Sequence, residues 1–212
     1  MIAASTQGST GIIGIAPKAE LSLIKVLDDN EVMKGSYVCE GISFVLEHTE
    51  TDIVNLSLSL SKRDFSRIKN DFHDLMRRCA EKRILVITSA GGNGSIVSEV
   101  PEIQAPSCEQ YCISVGAIDA EFLGTNEGLS LHSKVNYVCP NFRLVSCAAQ
   151  KDDYASIWNS SMAAGMLTGV SALAMSATAV STDRESLLQT LNGVLNQFNP
   201  KTSLNILEVF RI

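Results

Sequence analysis

The sequence holds only three histidines among 212 residues, His48, His73 and His132, so within these residues an imidazole is available at those positions alone. It lacks an apolar run long enough to span a bilayer. The most apolar long stretch, Met162 to Val180, is rich in Ala, Gly, Ser and Thr and reads as a helix buried in a protein core. Positive charge is not in excess: 17 basic residues stand against 23 acidic ones, without long like-charge blocks. That balance argues against a nucleic-acid surface. Six cysteines are present, yet there is no CxxC pair and no histidine at ligand spacing from any of them. Cys108 and Cys112 lie nearest each other, and neither is expected to hold a metal. Most of the six sit in apolar segments, where reduced thiols act as small hydrophobes, although their even number leaves disulfides open. The opening "MIAASTQGSTG" lacks a basic region and a continuous apolar core, so it does not read as a signal peptide. With no repeat and no low-complexity linker, residues 1–212 read as one domain.

What is present is an alternation of two periodicities. "AELSLIKVL" (Ala19 to Leu27) reads as a strand followed by the turn residues Asp28, Asp29 and Asn30. A helix fits Ser36 to His48, and "DIVNLSLSL" (Asp52 to Leu60) has the length of a buried strand. Ile68, Phe72, Leu75, Met76 and Cys79 then share one face of an amphipathic helix. "RILVITSAGGNG" is a buried strand running into a glycine-rich loop, and "YCISVGAID" is another strand. "VNYVCP" and "RLVSCAA" are shorter runs. Thr182 and Glu185 are spaced as a capping box opening a last helix. Strands alternating with helices predict an α/β fold with a mostly parallel sheet flanked by helices.

In such sheets functional groups collect where the strands' carboxyl ends give way to loops. Three places qualify: "NLSLS", "SAGGNGS", and "NSSMAAGMLTG", where Ser161 opens a helix of small residues. A serine there faces free backbone N–H groups and the positive end of a helix dipole, which favour developing negative charge. The same local pattern also fits Ser160 or Ser161 as a plain helix N-cap.

Taken in order, the segments resemble the subtilisin-like serine peptidases, the subtilases. "GIIGIAPKAELSLIKVLDDN" is similar to the family's segment after the catalytic histidine helix. "DIVNLSLS" is similar to the strand whose end pairs with extended substrate, and "VITSAGGNG" to the segment ending in Ala-Ala-Gly-Asn. "ISVGAID", "VNYVCPN" and "NSSMAAGMLTG" resemble a family strand, the Ala-Pro-Gly turn and the Gly-Thr-Ser-Met-Ala-Ala-Pro-His nucleophile motif. The resemblance implies a three-layer subtilisin-like fold and a serine endopeptidase domain. In that family a serine attacks the peptide carbonyl, a histidine takes its proton and an aspartate orients the histidine. It implies Ser161 at the nucleophile's position, with Leu58, Ser59, Ser89, Ala90 and Gly91 lining a cleft for an extended polypeptide. Calcium enters only through the family habit, since no acidic loop here is assignable to a site.

Several positions depart from the pattern. The family's asparagine oxyanion donor aligns without a gap on Gly92, and Asn93 follows one residue late. Losing such a donor costs on the order of 10²–10³ in rate, a magnitude established in a subtilisin. Gly165 and Met166 replace Pro-His, and Asn159 and Ser160 replace Gly-Thr. Ser59 and Asn141 stand in place of glycines. The family's aspartate strand and His-Gly-Thr-His motif would fall before Met1, so the chain is expected to lack that strand and part of the histidine helix. None of the three histidines matches the family's base, and an unassisted serine is a weak nucleophile near neutral pH. Two readings follow: a peptidase domain inactive by itself, or a pseudoprotease that at most binds extended polypeptide.

Overall fold

In the computed structural model the described residues are 1–4, 11–30, 32–91, 105–119, 135–141, 144–148, 153–157 and 159–178. Four short strands build a parallel sheet. They are β1 (Ile53–Leu56), β2 (Leu85–Ser89), β3 (Cys112–Asp119) and β4 (Tyr137–Asn141), side by side in that order. The register pairs Leu56 with Thr88, Ser89 with Val115 and Val115 with Tyr137. Every residue of β2 is buried, as a strand covered on both faces requires.

Three helices supply the cover. These are α1 (Gly35–His48), α2 (Lys62–Glu81) and α3 (Ser160–Thr178). The alternation of β2 divides the core in two. Val86 joins Val38, Ile42, Phe72 and Met76 of α1 and α2, whereas Leu85 and Ile87 join Ala163, Ala164 and Leu167 of α3. The order of layers is therefore α1 and α2, sheet, α3, in agreement with the expected subtilisin-like architecture.

The stripe read from the sequence of α2 is the buried one: Ile68, Phe72, Leu75, Met76 and Cys79 are all in the core. Burying a large apolar side chain contributes roughly 1.5–3 kcal/mol. The ion pairs of Arg77 with Asp74 and Glu81 lie in water and add little by comparison. Ser61 caps the helix start by accepting the Asp64 N–H at 3.1 Å. At its other end Arg83, at φ 63°, takes the left-handed position. The Ile84 N–H reaches Cys79 O and the Arg83 N–H reaches Ala80 O, the paired bonds of a Schellman stop.

Two expectations are corrected. Ala19 to Leu27 does not form a strand: its residues 20–25 are exposed, and its only bridge is that of Leu27 with Met33. β propensity makes a strand only where a neighbouring edge can take its N–H and C=O groups, and no described residue offers one. The second apolar run pairs only as far as Leu56, and Ser57 to Ser59 leave the ladder. A further strand not anticipated, β6 (Tyr154–Ile157), pairs antiparallel with β5 (Leu144–Cys147) as a separate two-stranded sheet.

The small residues of α3 admit close neighbours. A Cβ on Gly169 would lie 2.8 Å from Ile15 Cβ, and one on Gly165 would lie 3.4 Å from the Met1 sulfur. The Ile15 and Ala16 N–H groups bond to Met1 O and Ile2 O, so residues 1–4 and 14–16 sit together against this helix. On the far side of the sheet, Gly41 of α1 gives the same close access to Ile24 and Val26.

Candidate active site

The parallel register brings the carboxyl ends of β1 and β2 level, since Leu56 and Thr88 are partners. One residue beyond that pair the chain continues as Ser57 on one strand and Ser89 on the other. Leu58 and Ser59 follow the first, and Ala90 and Gly91 follow the second. Ala90 is tied back to the sheet by its N–H on Val115 O at 2.9 Å, and Gly91 has a φ of 82° that favours glycine. The segment near Gly91 is braced from behind by buried hydroxyls. Thr88 Oγ1 donates to Ser107 Oγ at 2.9 Å and Ser107 Oγ to Ser114 Oγ at 2.6 Å. Gly92 and Asn93, the two oxyanion candidates, lie outside the described residues, as do His132 and the Thr182–Glu185 capping box.

Ser161 stands in the first turn of α3. Neither Ser160 nor Ser161 is the cap. Asn159 has that role, its Oδ1 accepting the Met162 N–H at 3.1 Å while its carbonyl accepts from Met162 and Ala163. With Asn159 bonded to these N–H groups, the Ser161 hydroxyl is left for another partner. That partner is the end of β1. Ser161 Oγ donates to Ser57 O at 3.4 Å, and Ser57 Oγ donates to Ser161 O at 3.1 Å. The structure thus brings Ser161 beside the Ser57–Ser59 segment across 104 residues of sequence.

Behind this contact lies a polar bridge that sequence reasoning missed. Asn55 Nδ2 donates to Ser57 Oγ at 3.0 Å, and Thr168 Oγ1, two turns along α3 from Ser161, lies 3.1 Å from Asn55 Oδ1. The signal in the sequence was the single amide in the apolar run "DIVNL", together with a hydroxyl seven positions after Ser161 on the same helical stripe.

Both described histidines are engaged elsewhere. His48 stacks on Phe44 and places Nδ1 3.2 Å from that residue's carbonyl oxygen. His73 places Nδ1 3.0 Å from Oε2 of the buried Glu109 carboxylate and leans on Tyr111. They belong to α1 and α2, on the face of the sheet opposite Ser161. Among the described residues no three His, Cys, Asp or Glu side chains stand together to hold a metal ion. No described helix is long and apolar enough to cross a membrane.

Comparison with known proteins gives one consistent result. Residues 1–198 match the model of the Subtilase family. The intracellular serine protease of Paenibacillus polymyxa is 29% identical over 170 residues, covering 80% of this chain and 50% of that protein. The major intracellular serine protease of Bacillus subtilis (strain 168) is 27% identical over 176 residues, with 80% and 51% covered. The chain thus spans about half the length of the curated relatives it matches. A crystal structure of a lanthipeptide protease superposes with a TM-score of 0.67 at 16% identity, over 84% of this chain and 63% of that one, a likeness of fold.

Proposed function

This chain belongs to the subtilase family, and from that membership we propose that it carries the nucleophile half of a peptide-cleaving site. In this reading Ser161 is the residue that would attack a peptide carbonyl. Leu58 and Ser59 form one wall for an extended polypeptide, and Ser89, Ala90 and Gly91 form the other. The N–H groups that open α3 favour the charge that develops on the carbonyl oxygen. Asn93 is the further oxyanion donor, provided that its loop carries the one-residue shift that the Gly92 alignment demands.

One observation carries the reading and also limits it. The Ser161 hydroxyl is beside the substrate wall, yet its hydrogen goes to the Ser57 carbonyl instead of an imidazole. A serine oxygen attacks only when a base removes its proton, and a backbone carbonyl is no base at neutral pH. His48 and His73 lie on the other face of the sheet, so in this reading neither described histidine is the base. In this reading the 212-residue chain alone is expected to be inactive as a peptidase. The same hydrogen bond favours the second reading, a pseudoprotease that holds extended polypeptide between the two walls without cutting it.

A fluorophosphonate probe separates these ideas from an active enzyme. The expected result is no specific adduct on the 212-residue chain. Stoichiometric labelling, mapped to Ser161 by peptide mass and abolished by Ser161→Ala, would show that a base is present and would overturn the inactivity.

A further inference from the structure

We propose that Asn55, anchored by Thr168, is a positioning residue that fixes Ser161 against the cleft wall at Ser57; this deepens the reading of Ser161 as the nucleophile and rests on it. The first turn of a helix is its least constrained part, because its N–H groups have no partner within the helix. Ser161 sits in that turn. Among the described residues Asn159 bonds only to N–H groups of this turn. Besides the apolar packing of Ala163, Ala164 and Leu167, the tie to the sheet is the polar bridge, and each hydroxyl in it has one proton to give. Thr168 Oγ1 donates to Asn55 Oδ1, Asn55 Nδ2 to Ser57 Oγ, Ser57 Oγ to Ser161 O, and Ser161 Oγ to Ser57 O. Thr168 also lies 2.8 Å from Ala164 O, and Ser57 Oγ 3.2 Å from Asn55 Oδ1, so the bridge has local alternatives that a weakened link would adopt.

The geometry has a functional logic. Asn55 belongs to β1, whose continuation is the Leu58–Ser59 wall, and Thr168 belongs to the helix that bears Ser161. One amide therefore sets the distance between the attacking oxygen and the wall on which a peptide would lie. Thr168 is buried, two turns from Ser161, where no substrate can touch it. Its effect on Ser161 has to pass through Asn55 and Ser57.

The test must not depend on peptidase activity. Ser161→Cys places a thiol at the position, and iodoacetamide alkylates its thiolate without a general base. The pH–rate profile is followed by peptide mass mapping, which separates the introduced thiol from the six native ones. In the Ser161→Cys background, adding Thr168→Val or Asn55→Ala is expected to slow alkylation at pH 7 by about three- to tenfold, the fold-change matching one lost hydrogen bond. Thr168→Ser should restore the rate. If either variant fails to fold, Ser57→Ala removes a single hydroxyl from the same bridge and takes its place. A role confined to stability would lower the melting temperature and leave the profile unchanged at temperatures where the variants are folded, and that result overturns the proposal. Because the readout is alkylation, failure of the peptidase reading in the fluorophosphonate experiment leaves this outcome separately interpretable.

Discussion

At the scale of single residues, chemistry here is decided by what each reactive atom touches. Ser161 differs from a solvent-exposed serine only through its neighbours, and the six cysteines make the same point with a measurable contrast. Burial pushes the Cys39 and Cys79 thiols up to about 11 and Cys139 up to about 12, whereas Cys147 is exposed. The reactive species is the thiolate. At pH 8 Cys147 is thus expected to react with iodoacetamide well before Cys39, Cys79 and Cys139. The rate at Cys39 should then rise about tenfold per pH unit towards 11, because its thiolate fraction does. Peptide mapping over pH 7–10 checks this, and equal rates at all four sites would refute it. The sign for stability is opposite to that of a paired carboxylate. A thiol with a raised folded value favours the folded state fully below its ordinary value of 9.0, and the benefit is lost as pH climbs through the folded value. The melting temperature is expected to fall above pH 9.

Elements were legible in the sequence where one period ran unbroken. The α2 stripe repeats five apolar residues at 3.6-residue spacing, while β2 and β3 are mostly apolar runs of strand length, broken by Thr88, Ser89 and Ser114. The segment from Ala19 to Leu27 has equal strand propensity and forms none, because propensity says nothing about whether an edge is available to pair with. The bridge of Asn55 to Thr168 was illegible for a related reason: its ends are 113 residues apart, and a lone amide in an apolar run does not announce its partner. The motif placed Ser161 at the opening of a helix, as in α3, but the Asn159 cap was not legible, since Asn, Ser and Ser in succession are all good caps. The α2 stop offers a test at this scale. Arg83 holds a left-handed φ of 63° that a side chain opposes and glycine does not. Arg83→Gly should therefore raise stability by about 0.5–1 kcal/mol, the loss of unfolded-state restriction offsetting part of the relief. Denaturant titration measures it, and a lower midpoint would mean that the Arg83 side chain makes a contact worth more than the strain.

For the molecule as a whole, the imbalance lies between a well-covered sheet and an uncovered flank. Leu21, Leu23, Ile24, Leu27 and Val32 are all exposed, Leu23 at 88%. Isolated surface leucines are ordinary, but apolar side chains exposed together from Leu21 to Leu27 are a site for association. The 212-residue chain is expected to self-associate at micromolar concentration. The double change of Leu21→Lys and Leu23→Lys should suppress this while moving stability by no more than about 0.5 kcal/mol, since neither side chain is packed. Light scattering alongside a melt decides it, and a monodisperse parent with a single cooperative transition would refute the first half.

The seat of Ile15 on Gly169 has a consequence for the order of events during synthesis. The two residues meet across nearly the whole described chain, so their contact is among those that close the largest loop. A ribosome adding about 5–20 residues per second would release residues 14–16 roughly 8 to 30 seconds before α3 has emerged to receive them. Over that interval the apolar opening segment has no helix to rest on, and chaperones have their longest claim on this chain before its serine-bearing helix exists.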